Sequence, residues 1–187
     1  MKLLHLAAAS LTLPLLLASC ASPRNAAWHA YEHGDYAAAT ERWEALALTG
    51  DSDAQFLLGL VYDEGQLGEA DAKEAVRWYT LSAEQGHPAA QCNLGLCYYE
   101  GRGALRSHEV AALWFERAAA QGFAKAQNNL AVMHLLGQVP AADPTRARAL
   151  LAQAAEGGDP KAVALLPKLA LLAPDASRDE VLTALAR

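Results

Sequence analysis

The chain has 187 residues, with 15 Lys and Arg against 21 Asp and Glu, for a net charge of −6 with histidine neutral. Its cations form no tract, so neither nucleic acid nor an anionic lipid surface is indicated as a partner. The length allows a leader followed by one domain or a small repeat array of about 168 residues.

From Met1 to Ala18 the chain reads as a short charged end, with Lys2 its one fixed cation, then an apolar run broken only by Ser10, Thr12 and Pro14. That pattern is a secretory signal, too short and too poorly flanked for a permanent spanning helix. Leu17-Ala18-Ser19-Cys20 closes it and resembles the bacterial lipobox. The resemblance implies that residues 1–19 are removed and that Cys20 carries a lipid. Loss of Lys2 takes the mature charge from −6 to −7. Ala21, where an Asp would imply inner-membrane retention, implies a lipid-anchored protein of the bacterial outer membrane that faces the periplasm. The alternative is a cleavable signal that ends in a cysteine by chance.

Residues 20–51 read as a capping unit. Ser22-Pro23 is an N-cap followed by proline at the first helical position. Trp28 and Tyr31 precede a turn at Gly34-Asp35-Tyr36, and Ala39, Trp43 and Ala47 space out a second helix. His29-Ala30-Tyr31-Glu32-His33 fits the H-x-x-E-H pattern of inverted zinc proteases, since histidines four apart share a helix face. The string stands just before the Gly34 turn and nothing else in the chain looks like a protease domain, so no metal is expected.

Beyond residue 51 one offset, 36 residues, aligns nearly every special position. Ala54, Ala90, Ala126 and Ala162 are so related, as are Leu58, Leu94, Leu130 and Leu166, then Gly65, Gly101 and Gly137, then Gly50, Gly86, Gly122 and Gly158. Such self-similarity marks stacked supersecondary units. Within a unit, Ala54, Leu58, Val61 and Tyr62 form the buried stripe of a first helix that stops at Gly65. Asp35, Asp71, Ser107, Asp143 and Asp179 recur with the same period as N-caps of second helices, Asp71 with Glu74 as a capping box. The second helix buries Ala75, Trp78, Tyr79 and Ala83 and ends at Gly86. Trp78-Tyr79 returns as Trp114-Phe115 and then as Leu150-Leu151, and the tryptophans are expected in the core. Cys92 and Cys97 lie five apart on one first helix, which separates their Cα atoms by roughly 8–9 Å, beyond disulfide range. They read as small buried groups, with an intermolecular bridge as the alternative.

Ala54-Gln55, Leu58-Gly59, Tyr62, Gly65, Asp71, Ala75, Trp78-Tyr79, Ala83 and Gly86 together resemble the Sel-1-like repeat, a relative of the tetratricopeptide repeat with a longer loop. Residues 52–87, 88–123 and 124–159 are the three units, and 160–187 form C-terminal capping helices. The second unit matches best. In the third, Ala131 stands for the glycine and His134 for the tyrosine. Leu166-Pro167 replaces the usual Leu-Gly, so the following helix is expected to kink or start late.

The resemblance implies an all-α fold, an α/α superhelical solenoid, right-handed, with a concave face lined by first helices. It implies a non-enzymatic adaptor for protein–protein interaction that binds a peptide or partner protein in the envelope, with the membrane held through lipid on Cys20 and no cofactor. The enzymatic alternative is a cell-wall or β-lactam-related hydrolase with an unrecognised site. Relatives linked to β-lactams carry a cysteine pair in every unit, which this chain lacks, and it has no nucleophile motif. A purely structural stabiliser of an envelope complex is the third reading. The expected binding residues are Phe56, Leu60, Asp63, Asn93, Leu96, Tyr99, Asn128 and Asn129, on the first-helix face away from the Ala54, Leu58 and Tyr62 stripe. Asparagine there offers both a donor and an acceptor to an extended backbone.

Overall fold

A computed structural model of the chain describes residues 22–170, 176 and 178–186. Cys20 and the leader lie outside the described residues. The described part is helical: α1 (Pro23–Glu32), α2 (Tyr36–Leu48), α3 (Ser52–Glu64), α4 (Ala72–Glu84), α5 (Pro88–Glu100), α6 (His108–Ala120), α7 (Ala124–Leu135), α8 (Pro144–Glu156), α9 (Pro160–Ala170) and α10 (Arg178–Ala186). Each helix packs on the one before and the one after, and α3 also reaches past α4 to touch α5. The core is therefore a row of interlocking clusters, each shared by neighbouring units.

Local chemistry explains the helix starts. Ser22 Oγ accepts the Asn25 N–H, and Asp35, Asp71, Ser107 and Asp143 each accept an N–H from the first turn of the second helix they precede. The Asp71 capping box is only half made: Asp71 accepts from Lys73 and Glu74, but the Glu74 carboxylate turns outward to pair with Arg77 at 2.9 Å. Asp179 departs from the expected series, because α10 opens at Arg178 and Asp179 lies inside its first turn. There its charge still suits the positive helix end. The proline at 167 neither delays nor ends α9, which starts at Pro160 and continues to Ala170. Lying near the C-terminal end, it forfeits one backbone hydrogen bond that few later turns depend on.

The first helices of units one and two stop at Gly65 and Gly101, both left-handed, with φ of 67° and 80°. In the loop that follows, Gly103 lies so near the preceding unit that a Cβ would stand 2.0 Å from the Ala72 carbonyl oxygen. Only glycine allows that contact.

Two deeper devices lock the helices together, one chiefly between units and one within them. Gln55, Gln91 and Gln127 are buried, and each donates to the carbonyl eight residues earlier, Ala47, Ala83 and Ala119, at 3.0, 3.1 and 3.3 Å. The carbonyl ends of the first two then accept from the close of their own unit's second helix, Gln85 to Gln55 at 2.6 Å and Gln121 to Gln91 at 2.8 Å. The second device is steric. A Cβ on Gly59 would stand 2.4 Å from Tyr79 and one on Gly95 2.7 Å from Phe115. The third unit meets the same constraint the other way, with Ala131 packed in one cluster with the narrower Leu151.

The tryptophan expectation divides. Trp43 and Trp78 are buried, but Trp114 is only half-buried and Arg117 stacks on its ring at 4.5 Å. Phe115 is the buried member of that pair.

Candidate functional site

First helices α3, α5, α7 and α9 place equivalent side chains side by side, and two open clefts lie along this row. A cleft of about 350 Å³ lies where α1 and α2 meet α3 and α5. Its wall is aromatic and aliphatic: Trp28, Trp43, Leu46, Phe56 and Leu57, with His87 closing one side. Trp28 is 45% exposed, which is unusual for a tryptophan in contact with Trp43 and Tyr31.

The rim of this cleft is charged and internally paired. Arg24 bridges Asp51 and Asp53, the latter at 3.0 Å. Burial works to raise the Asp51 carboxyl, but the Ala54 N–H and the Arg24 guanidinium outweigh it and hold the group below the usual carboxylate range. His87 is the N-cap of α5. Its Nδ1 accepts the Ala90 N–H at 3.2 Å, its Nε2 lies 3.4 Å from Asp53, and its ring stacks on Phe56 at 4.7 Å.

The second cleft, about 190 Å³, is formed by Leu96 and Tyr99 from α5, Asn128, Asn129, Val132 and Met133 from α7, Phe115 beneath and Lys161 from α9. The Tyr99 hydroxyl donates to Gln138 at 3.1 Å and its ring stacks on His108, the first residue of α6. Asn129 Nδ2 lies 3.8 Å from Cys92 Sγ. Asn128 is only 4% exposed, and its Oδ1 has no hydrogen-bond partner among the described residues. A buried acceptor in that condition marks a place where a donor is wanted.

Of the eight residues expected from sequence, Leu96, Tyr99, Asn128 and Asn129 converge on this second cleft and Phe56 lines the first. The other three lie in neither. Leu60 packs against the cluster around Tyr79 and Leu94. Asp63 is held by Arg102 and accepts from the Tyr79 hydroxyl at 3.4 Å, and Asn93 lies against that same hydroxyl. These three serve the joint between units one and two. Asn128, one of the expected binding residues, is itself buried, and so, as expected, is Cys92 one repeat before it. Sequence reasoning missed Trp28, Trp43 and His87. The available signal was a cluster of aromatics in a capping unit, beside an N-cap position that changes from Asp51 to His87.

Among the described residues, neither cysteine is arranged as a nucleophile. Burial pushes the Cys92 and Cys97 thiols each up to about 11, far from the thiolate form. His29 and His33 stack at 4.1 Å on an exposed face, with His33 Nδ1 2.8 Å from the His29 carbonyl oxygen. Among the described residues, no three His, Cys, Asp or Glu side chains are grouped to hold a metal ion, and no helix is long and apolar enough to cross a membrane. The arrangement suits recognition: apolar clefts for side chains, with asparagine and charged groups beside them.

The Sel1 repeat family model matches residues 52–87, 88–123 and 124–159. No curated protein matches the chain. Among solved structures, a Sel1 repeat protein from Oxalobacter formigenes aligns with a TM-score of 0.66 at 26% identity, over 79% of this chain and 61% of its own. A second is c5321, a protective antigen present in uropathogenic Escherichia coli strains and displaying an SLR fold. It aligns with a TM-score of 0.45 at 29% identity, over 80% of this chain and 40% of its own. The chain thus spans less than two thirds of the length of either neighbour.

Proposed function

The chain belongs to the Sel1 repeat family, and from that premise we propose that it is a non-enzymatic adaptor, lipid-anchored through Cys20 at the periplasmic side of the bacterial outer membrane, that captures a peptide segment or partner protein along its row of first helices. Sel1 repeat proteins generally mediate protein–protein interaction. The observation that carries the groove reading is the convergence of Leu96 and Tyr99 with Asn128 and Asn129, from two successive units, on one cleft. Aromatic and aliphatic anchors in such clefts dominate binding energy, while amides fix the backbone of a ligand.

The test is capture from detergent-solubilised envelope by the tagged full chain, with bound proteins identified by mass spectrometry. Asn129→Arg fills the cleft from a half-buried position and lowers recovery of the partner about tenfold, near 1.4 kcal/mol, with thermal unfolding unchanged. Undiminished recovery would move the site off this groove. For the anchor, Cys20→Ser leaves the protein unprocessed or released from membranes. Normal maturation and membrane fractionation of that variant would defeat the lipid reading.

A further inference from the structure

We propose that the second cleft, with two lysines beside it, takes an acidic, apolar, extended segment of the partner protein. This rests on the groove reading above and specifies the chemistry of its occupant. Along the first helices, Asp53, Ala89, Lys125 and Lys161 hold one repeat position, 36 residues apart. The groove therefore runs from a negative to a positive end.

The two ends differ in a second respect. Asp53 is already matched, by Arg24 at 3.0 Å and by His87 at 3.4 Å. Lys125 and Lys161 are exposed, and among the described residues neither forms an ion pair. Asp159, the carboxylate nearest in sequence to Lys161, is buried and engaged in accepting the Ala162 N–H at 2.9 Å at the start of α9.

Lys161 lines the cleft directly. Lys125 acts on the Cys92 thiol, as the buried Asp159 does with the opposite sign, and that thiol lies against Asn129 at the cleft. Below them the buried Asn128 Oδ1 lacks a donor. An extended peptide meets all three demands at once. One main-chain N–H reaches Asn128, one apolar side chain fills the space between Leu96, Tyr99, Val132 and Met133, and an adjacent carboxylate answers the lysines. A lipid surface would reach the lysine ends but not the recessed asparagine.

The probes are two fluorescein-labelled octapeptides of alternating leucine and serine, one ending in three glutamates and the other in three lysines. They are titrated by anisotropy into the full chain in nonionic detergent. The acidic peptide binds at least about tenfold tighter, and the Lys125→Glu, Lys161→Glu double variant abolishes or reverses that preference. Its melting curve, followed by circular dichroism, stays that of the unchanged protein because both positions are exposed. Equal binding of the two peptides, binding of neither, or an unchanged preference in the double variant overturns the proposal. Displacement of the acidic peptide by monomeric short-chain phosphatidylglycerol overturns it also, by giving the lysines to a lipid headgroup. Partner capture that is lost in Asn129→Arg but unaffected by the lysine double variant would sink this inference alone. Capture indifferent to Asn129→Arg would sink the groove reading beneath it.

Discussion

Gly59 faces Tyr79, Gly95 faces Phe115, and Ala131 shares a cluster with Leu151. One methyl group on the first helix is thus exchanged against ring width on the second, so that their summed volume stays nearly constant. In Gly95→Ala the gain in helix propensity, about 1 kcal/mol, opposes a Cβ forced to 2.7 Å from the Phe115 ring. Overpacking of about 1–3 kcal/mol wins, because the ring is 1% exposed and has little room to withdraw. Combined with Phe115→Leu, the alanine becomes nearly harmless relative to Phe115→Leu alone. A double-mutant cycle by urea denaturation measures this, and simple additivity would show that the two positions do not share one space. The same packing makes Phe115, and not the half-buried Trp114, the costly aromatic to truncate in the second unit.

At the scale of an element, the third unit solves its loop differently from the first two. In those, the N–H of the second-helix cap donates to a tyrosine carbonyl, Asp71 to Tyr62 and Ser107 to Tyr98, each at 2.9 Å. In the third, the Asp143 N–H donates to the ring nitrogen Nδ1 of His134 at 3.2 Å. That bond requires the neutral ring. Burial holds the His134 pKa below its ordinary 6.5, Arg146 adds to the effect, and Asp143 and Glu116 oppose it. A histidine depressed in the fold takes up its proton more readily when unfolded. Its stabilisation is therefore complete above about pH 6.5 and is lost as pH falls toward its folded value, by at most about 1.4 kcal/mol per pH unit. His134→Tyr, which restores the residue of the other units, should flatten the decline in melting temperature between pH 7 and 5. Equal pH profiles for the two proteins would exclude His134 as the source.

Over the whole molecule, stability is a chain of neighbour contacts, and the glutamine ladder is the polar half of each joint. Gln91 gives its amide N–H to Ala83 and takes that of Gln121. Gln91→Leu removes the side-chain donor to the Ala83 carbonyl and one acceptor of Gln121, whose amide keeps the Gly86 carbonyl, at about 1 kcal/mol. The joint lies mid-stack, so the effect is more than an even loss of stability. Unfolding in urea should broaden, with a lower apparent m-value, as the N-terminal and C-terminal parts begin to melt apart. A midpoint shift at constant slope would mean that apolar contacts alone keep the units cooperative. The ladder stops at the third unit, where Gly157 stands at the Gln85 and Gln121 position. A Cβ there would press to 2.8 Å on Ala124, and Val163 replaces the glutamine on α9, so the C-terminal joint combines apolar contact through Leu151, Leu165 and Leu169 with a hydrogen bond from Arg148 to the Leu169 carbonyl at 2.7 Å.

What the sequence determined by itself is the periodic part: the helix pairs, their caps and the buried stripes. Each of these depends on residues a few positions apart, and a 36-residue period repeats the signal until chance is excluded. It also put Leu96, Tyr99, Asn128 and Asn129 together on the first-helix face away from the Ala54, Leu58 and Tyr62 stripe. Only the tertiary structure decided which of Trp114 and Phe115 is buried, that Asp63 and Asn93 serve the joint around Tyr79, and that Trp28, Trp43 and His87 wall a cleft. Those outcomes depend on how one unit rotates against the next. That rotation is fixed by close contacts such as Gly103 on Ala72 and by ion pairs such as Arg102 with Asp63, between residues some 30 to 40 positions apart whose meeting no local pattern records.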